Sequence, residues 1–204
     1  MATTRSISRP ARHLGTALLA LVLTATSALA QATDVLGIPG PIDFEGDAYK
    51  LAWSAQPSAT YIKQEYLPDG QRAERYDQMI LVETVTSGIT VMDAVRAQVT
   101  MLNQRKATDP LVNMDVIQNE AAGEALLDFI VSSKDTDGQY IVEWNAYRYA
   151  RYSDAGGKPG VMLFGISRRA YGNAAAKDLL TQLKGLRPGR VKSLTQVRLP
   201  RPAR

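Results

Sequence analysis

The stretch YIVEWNAYRYARYSDAGGKPGVMLFGISRRAY, residues 140–171, contains two long runs in which aromatic, aliphatic and basic residues alternate. Aromatic and β-branched residues favour extended strands, so residues 140–152 and 160–171 are predicted to be strands. The residues between them, SDAGGKP at 153–159, have the glycine and proline content of a turn. The sequence therefore predicts a long antiparallel hairpin.

The first strand of this hairpin contains a dense group of tyrosine and arginine residues, WNAYRYARY at 144–152. Successive side chains of a strand point to opposite faces, so this group is divided between two faces, and the strand register decides which set is buried. A platform that stacks single-stranded nucleic acid needs its rings on one exposed face, which argues against that function. The stretch is therefore interpreted as a structural strand whose one face fills the core. The alternative is that its exposed residues form a partner-binding patch, since tyrosine and arginine are enriched at protein interfaces. Its residues are Tyr147, Arg148, Tyr149, Arg151, Arg168 and Arg169.

Outward from the hairpin, further strand and helix patterns occupy most of the chain. Thr90 can cap a helix over residues 90–106, where apolar residues recur at helical spacing. Asn173 can cap a second helix, which Gly185 is expected to end. Five more runs are predicted strands because they are rich in alternating or β-favouring residues. These runs are residues 49–53, 60–67, 78–86, 113–119 and 124–133.

The resulting element order is β-β-β-α-β-β-β-β-α. Short connections between consecutive strands imply antiparallel pairing. Each helix has an apolar stripe that must be buried against another element. We therefore predict an α+β fold, in which a single antiparallel sheet of about seven strands has two main helices packed on it.

The start of the chain has the composition of a targeting segment. Residues 1–30 carry arginines, then a short apolar run, and then Ala28-Leu29-Ala30, which is the order found in secretory signal peptides. We expect cleavage after Ala30 and a periplasmic or secreted mature protein. No later run is long enough to predict a transmembrane segment after this cleavage.

The remaining chain divides into three predicted regions with different charge. Glycine and proline interrupt residues 31–47, which predicts a loose segment, and residues 48–186 form the predicted domain. Residues 187–204 are predicted to be a basic tail that is either disordered or loosely docked on the domain. Residues 31–183 hold 14 Lys and Arg against all 20 Asp and Glu, a net charge of −6, which argues against nucleic-acid binding. The tail either only solubilises the protein or contacts an anionic surface. The cations that would make this contact are Arg187, Arg190, Lys192, Arg198, Arg201 and Arg204.

Histidine and cysteine are missing from the predicted mature protein. The chain has no cysteine, and its one histidine, His13, lies in the predicted signal peptide. Catalytic triads, disulfides and zinc sites built from these residues are therefore excluded. We expect no metal, no cofactor and no enzymatic activity.

Short motifs do not change this expectation. SDAGGKPG at 153–160 lacks the first glycine and the hydroxyl residue of a phosphate-binding loop. SSKDTDG at 132–138 places Trp144 where a calcium loop needs glutamate. Carboxylates alone can hydrolyse glycosides, but the spacing pairs no two acids on the predicted strands. These acids are Glu65, Glu83, Asp115, Asp128 and Glu143.

The element order, together with EYLPDGQ at residues 65–71 before a short turn and a central strand, resembles the Mog1/PsbP-like fold. The resemblance covers residues 48–186 and concerns topology. It implies a small secreted bacterial protein that acts as a binding or assembly factor. It brings no catalytic motif and assigns no ligand-binding residue.

Three functions are compatible with the sequence. The leading hypothesis is a non-catalytic periplasmic binding or assembly protein whose partner is an envelope protein or an anionic envelope component. The first alternative is a carboxylate-dependent hydrolase of cell-wall glycan, which needs two acids in one cleft. The second alternative is a secreted antagonist or immunity protein, which blocks an enzyme by surface complementarity.

Overall fold

A computed structural model of the chain describes residues 32–203, and eight β-strands and two α-helices lie within them. Among these residues, neither helix has the length and apolar character needed to cross a bilayer. The predicted signal peptide, its cleavage site and Arg204 lie outside the described residues.

The strands form one antiparallel sheet in the order β1-β2-β3-β4-β8-β7-β6-β5. The α+β class and the antiparallel sheet with two helices are confirmed, with eight strands in place of about seven. The strands are β1 (Ile42–Phe44), β2 (Asp47–Ser58), β3 (Tyr61–Leu67), β4 (Gln78–Val85), β5 (Asn113–Asn119), β6 (Glu124–Lys134), β7 (Tyr140–Ser153) and β8 (Pro159–Tyr171). The helices are α1 (Val91–Arg105) and α2 (Asn173–Gln196).

The predicted long hairpin is β7–β8, and it lies in the middle of the sheet with a helix on each side. On one face, Trp144 and Phe164 are buried beneath α2. On the other face, Tyr149 and Leu163 are buried beneath α1. We call these surfaces the α2 face and the α1 face. Because both faces are covered, the central strands carry apolar residues at both even and odd positions.

The N-terminal segment is more ordered than predicted. Residues 42–44 form β1, which pairs with β2, so the prediction of a loose segment over residues 31–47 is wrong for this part. Leu36 is fully buried, and its backbone N–H donates to the side-chain oxygen of Gln64 at 2.7 Å. The apolar residues of this segment join the core beneath α2. The Gln64 side chain accepts hydrogen bonds from backbone N–H groups that have no partner in a helix or strand.

The first helix begins where the sequence predicts. The Thr90 hydroxyl accepts a hydrogen bond from the N–H of Asp93 at 3.1 Å, and Asp93 accepts one in return from the N–H of Thr90 at 3.0 Å. This reciprocal cap satisfies two backbone donors at the start of α1. The buried residues Val91, Val95 and Leu102 then place α1 on the sheet.

The second helix is longer than the sequence predicts. It continues through Gly185, Pro188 and Gly189 and ends at Gln196. Those three residues lie on the exposed side of α2, whereas Leu194 is fully buried against the sheet. Burial of apolar side chains outweighs the low helix propensity of glycine and proline. The expectation that Gly185 ends the helix is therefore wrong.

Of the two alternatives for residues 187–204, disorder is wrong for the part that the structure describes, since this part is docked on the domain. Residues 187–196 belong to α2, and Leu199 packs against the core beneath that helix. The N–H of Ala203 donates to the carbonyl of Leu36 at 2.9 Å. Apolar residues between the cations thus attach the C-terminal segment, residues 197–203, to the N-terminal segment.

Candidate anion-binding site

The six residues of the predicted partner-binding patch do not form one surface. Tyr147, Tyr149, Arg151 and Arg169 lie on the α1 face, and Arg148 and Arg168 lie on the α2 face. Tyr149 is only 3% exposed because α1 packs over it. The six candidate residues are therefore divided between two faces, and the structural-strand interpretation fits the buried part of this stretch.

The two tyrosines of that prediction belong to the packing of the α1 face. The Tyr147 ring packs edge-on against Phe129 with centroids 5.0 Å apart, and it meets the ring of Tyr149 at 6.5 Å. Gly165 faces Tyr147, and a Cβ there would lie 2.6 Å from the ring. Burial raises the pKa of both phenols above the ordinary value, which keeps them neutral. These side chains fill the core and do not present a binding surface.

Arg169 and Arg168 differ in their surroundings. Arg169 pairs with Glu143 and stacks on the ring of Tyr76 at 4.1 Å. The Tyr76 hydroxyl donates to the same carboxylate at 3.0 Å. Although burial opposes the charged form of Arg169, Glu143 outweighs it and raises the pKa of the guanidinium. Burial lowers the pKa of Arg168, which is half-buried. Arg169 is therefore already paired within the fold, whereas Arg168 is partly exposed on the α2 face.

Arg148 connects β7 to the end of α2. Its Nε and Nη2 donate to both carboxylate oxygens of Glu124 at 3.0 and 2.8 Å. Its Nη1 donates to the carbonyls of Leu194 and Val197 at 3.2 and 2.9 Å. The last carbonyls of a helix have no partner within the helix, and a cation there also opposes the helix dipole. Arg148 therefore fixes where the chain leaves α2 and where residues 197–203 begin.

The segment that Arg148 positions closes one side of a cavity of about 570 Å³. Arg151 of β7 and Arg198 and Arg201 of the C-terminal segment line this cavity, and all three are exposed. Within residues 32–203, none of these three guanidinium groups forms an ion pair with a carboxylate. We call this cavity the arginine pocket. Its arginines come from two groups that were predicted separately, since Arg151 belongs to the partner-binding patch and Arg198 and Arg201 belong to the basic tail.

The other predicted tail cations have different surroundings. Arg187 reaches through to the sheet, where it pairs with Asp128 and with Asp115 at 2.7 Å. Arg190 pairs with Glu45 at 3.1 Å. Lys192 is exposed on α2. Arg187 and Arg190 therefore stabilise the fold. Two of the other predicted anion contacts, Arg198 and Arg201, line the arginine pocket.

The five candidate acids all have partners. Asp115 and Asp128 face each other across β5 and β6, a pairing that sequence spacing could not show, and Arg187 binds both. Asp128 also accepts a hydrogen bond from the indole N–H of Trp144 at 2.7 Å. Glu143 is held by Arg169, and Glu65 by Lys63 at 3.0 Å.

Two of these acids do share a cavity. Glu65 and Glu143 line a polar cavity of about 130 Å³ together with Lys63 and Arg169. Ligand pockets usually have about 300–1,000 Å³. This cavity is therefore small for a sugar ring, and a basic group neutralises each of its acids.

Glu83 lies apart from that pair, in an apolar groove beneath α1. Burial raises the pKa of its carboxyl, and the neighbouring Lys63 and the Tyr61 hydroxyl oppose the shift. The Tyr61 hydroxyl donates to the carboxylate at 3.0 Å. Among residues 32–203, no three acidic or histidine side chains are grouped as metal ligands.

A sequence signal for the arginine pocket exists in the segment VRLPRPAR, residues 197–204. Pro200 and Pro202 favour the polyproline II conformation, which has three residues per turn. Arg198 and Arg201 are three residues apart and would then lie on the same side. The sequence could not show that β7 forms the other wall of the pocket. The C-terminal segment meets β7 only because α2 continues to Gln196, and this extension was not predicted.

Comparison with known proteins adds a family to this description. No curated protein and no solved structure matches the chain. A protein-family model matches residues 36–199, which include all eight strands, both helices and most of the arginine pocket. Since the match covers well over half of the sequence, the chain belongs to this family.

Proposed function

We propose that this protein is a non-catalytic, periplasmic or secreted binding protein whose arginine pocket receives an anionic group of an envelope component. One observation carries the proposal. Arg151, Arg198 and Arg201 line one cavity without a carboxylate partner among the described residues. Guanidinium groups bind phosphate and carboxylate oxygens through paired hydrogen bonds, and an anion would offset their mutual repulsion.

The composition of the chain supports the proposed location and the absence of catalysis. The first thirty residues have the pattern of a signal peptide, and the predicted mature chain has no histidine or cysteine. The resemblance to the Mog1/PsbP-like fold also favours a binding or assembly factor. It stays a prediction about topology and assigns no ligand.

The two alternatives are less well supported. A glycan hydrolase would use Glu65 and Glu143, but their cavity is small and both carboxylates carry basic partners. An antagonist of an enzyme would present the same three arginines to an acidic protein surface. The experiment below separates a protein partner from a lipid or glycan.

The test compares two double variants of the mature protein, residues 31–204, that have the same net charge. Arg198→Ala with Arg201→Ala empties the arginine pocket of two cations, whereas Lys184→Ala with Lys192→Ala removes two exposed cations from α2 outside it. Co-sedimentation with phosphatidylglycerol vesicles measures lipid binding, and equilibrium binding to dextran sulfate measures glycan binding.

We expect the pocket variant to lose at least tenfold in affinity for one of these probes, since each cation near an anionic surface contributes on the order of 1 kcal/mol. The lysine variant should lose less than threefold. Equal losses in the two variants would mean that binding depends on overall charge and would contradict a pocket. Undetectable binding of both probes by the unchanged protein would refute the envelope lipid or glycan and favour the antagonist.

A further inference from the structure

The two edges of the sheet differ in how well they are protected against another strand. At one edge, β1 has three residues and follows Pro41. The neighbouring β2 contains Pro57, and its pairing with β3 shifts register twice. Short strands, proline and bulges are devices that keep the unpaired backbone groups of an edge from binding another chain. The β1 edge is therefore protected.

The other edge is β5, which has none of these devices. Its seven residues, NMDVIQN at 113–119, include no lysine and no proline and pair with β6 without a shift of register. Within residues 32–203, no strand pairs with the outer side of β5. The backbone N–H and C=O groups that point outward along this side can therefore bind a further strand.

The exposed side chains of β5 are apolar and carry little charge. Val116 is 40% exposed on the α1 face, and Ile117 is 54% exposed on the α2 face. Asp115 is the one charged residue of the strand, and Arg187 pairs with it at 2.7 Å. A regular, apolar edge strand without a neighbour is the surface that strand addition uses.

The sequence of β5 complements a second copy of itself in the antiparallel orientation. With a two-fold axis at Val116, the centre of the strand, all seven residues pair with those of the copy. Val116 then faces its own copy, and Asp115 faces Ile117. At the ends of the strand, Asn113 faces Asn119. No like charges are opposed in this register, whereas an axis at Asp115 would bring two carboxylates together.

We propose that the protein forms a symmetric dimer in which the β5 strands of two copies pair antiparallel about Val116. The sheet of one copy then continues into the sheet of the other, and both exposed β5 edges are covered. No residue of β5 lines the arginine pocket. The dimer can therefore be tested independently of the proposed function.

The first test measures the dissociation constant of the dimer by sedimentation equilibrium of the mature protein, residues 31–204. Val116→Lys places two lysines opposite each other across the two-fold axis, so it should raise this constant at least tenfold. Met101→Lys makes the same change of charge on α1, at a side chain that is 62% exposed. It should leave the constant unchanged.

The second test determines the register and does not depend on the lysine variant being folded. Because the chain has no cysteine, a single introduced cysteine reports only on its own copy. Val116→Cys should form a disulfide between the two copies on mild oxidation, since opposite Cα atoms of antiparallel strands lie about 4.5–5.5 Å apart. Gln118→Cys is the control on the same face, because its two copies would be about 13 Å apart along the strand.

Three results would overturn the proposal. A protein that is monomeric at about 100 µM would exclude the second copy and leave the β5 edge to an extended segment of a different protein. Equal effects of Val116→Lys and Met101→Lys would place the dimer interface on another surface. Cross-linking that is as fast at residue 118 as at residue 116 would exclude pairing about Val116.

Discussion

Arg148 joins the middle of the sheet to the end of α2 through a single side chain. Its side chain is 13% exposed, and that of its partner Glu124 is 22% exposed. Two donors bind the carboxylate, and a third binds the carbonyls of Leu194 and Val197. Removal of the arginine would leave a shielded carboxylate and two carbonyls without partners, which costs more than the loss of a surface ion pair.

Arg148→Ala should lower the free energy of unfolding by about 3 kcal/mol. Arg148→Lys should lower it by about 1–2 kcal/mol, since lysine keeps the charge but loses the paired geometry. Urea denaturation followed by circular dichroism measures both. Arg96→Ala is the control, because its pair with Asp93 is exposed and should contribute little. A loss for Arg148→Ala no larger than that for Arg96→Ala would show that the end of α2 does not depend on this side chain.

At the scale of an element, α1 is fixed at both ends by different means. Its start is capped by its own Thr90 and Asp93, whereas its far end is tied to the sheet. Just beyond that end, Asp109 is 4% exposed and accepts hydrogen bonds from both the N–H and the hydroxyl of Ser132 on β6 at 2.6 Å. Arg105 Nε donates to the same carboxylate at 2.9 Å. The end of α1 thus depends on one buried carboxylate being charged.

This arrangement makes the stability of α1 against β6 depend on pH. Burial works against the charged form of Asp109, but hydrogen bonds from Ser132 and Arg105 outweigh it and lower the pKa below the ordinary value of 3.8. A carboxyl whose pKa is lower in the folded state stabilises the fold above its unfolded pKa, and the contribution is lost as the pH falls through the folded pKa. The free energy of unfolding should therefore change with the charge of Asp109 only below about pH 3.8.

Asp109→Asn should lower the free energy of unfolding by about 2 kcal/mol at pH 7, because a hydrogen-bonded charge is replaced. The difference from the unchanged protein should narrow as the pH is lowered below 3.8, where the aspartate itself becomes protonated. Thermal unfolding between pH 2 and 7 measures this. Asp69→Asn, whose pair with Lys50 is exposed, should show a small difference at every pH. If Asp109→Asn and the unchanged protein differ in stability by the same amount at every pH between 2 and 7, the electrostatic explanation is contradicted.

At the scale of the whole molecule, the N-terminal and C-terminal segments fold against each other. The N–H of Ala203 donates to the carbonyl of Leu36, and Gly37 leaves no room for a side chain beside Ala203. Leu36 and Leu199 both join the core beneath α2. The C-terminal residues are therefore a structural part of the domain as well as a wall of the arginine pocket.

Two truncations separate these roles. A chain that ends at Val197 keeps α2 and should lose only about 1–2 kcal/mol of stability, together with its binding of anions. A chain that ends at Leu186 loses the fully buried Leu194 and the pairs of Arg187, so it should lose about 5 kcal/mol or more and show no cooperative unfolding. Calorimetry of the two chains is the measurement. A stable fold in the shorter chain would show that the last turns of α2 are dispensable.

Sequence patterns predicted the features that depend on neighbouring residues. The alternation over residues 140–171 predicted the β7–β8 hairpin, and Thr90 with the apolar spacing after it predicted α1. Each of these signals is contained within about a dozen positions, because backbone periodicity and capping act between residues close in the chain. The antiparallel α+β fold followed from them, while β1 was missed because it is short and lies among glycine and proline.

By itself, the sequence determined the approximate positions of β2 to β8 and of the two helices, and that the protein has neither cysteine nor, after the predicted cleavage, histidine. Only the tertiary structure decided which of these residues meet. Burial of Leu194 extends α2 past Pro188, Arg148 then directs the chain towards β7, and Arg198 and Arg201 thereby reach Arg151. The physical reason is that a buried contact between distant residues outweighs local propensity, and no local pattern records which distant residue will supply it.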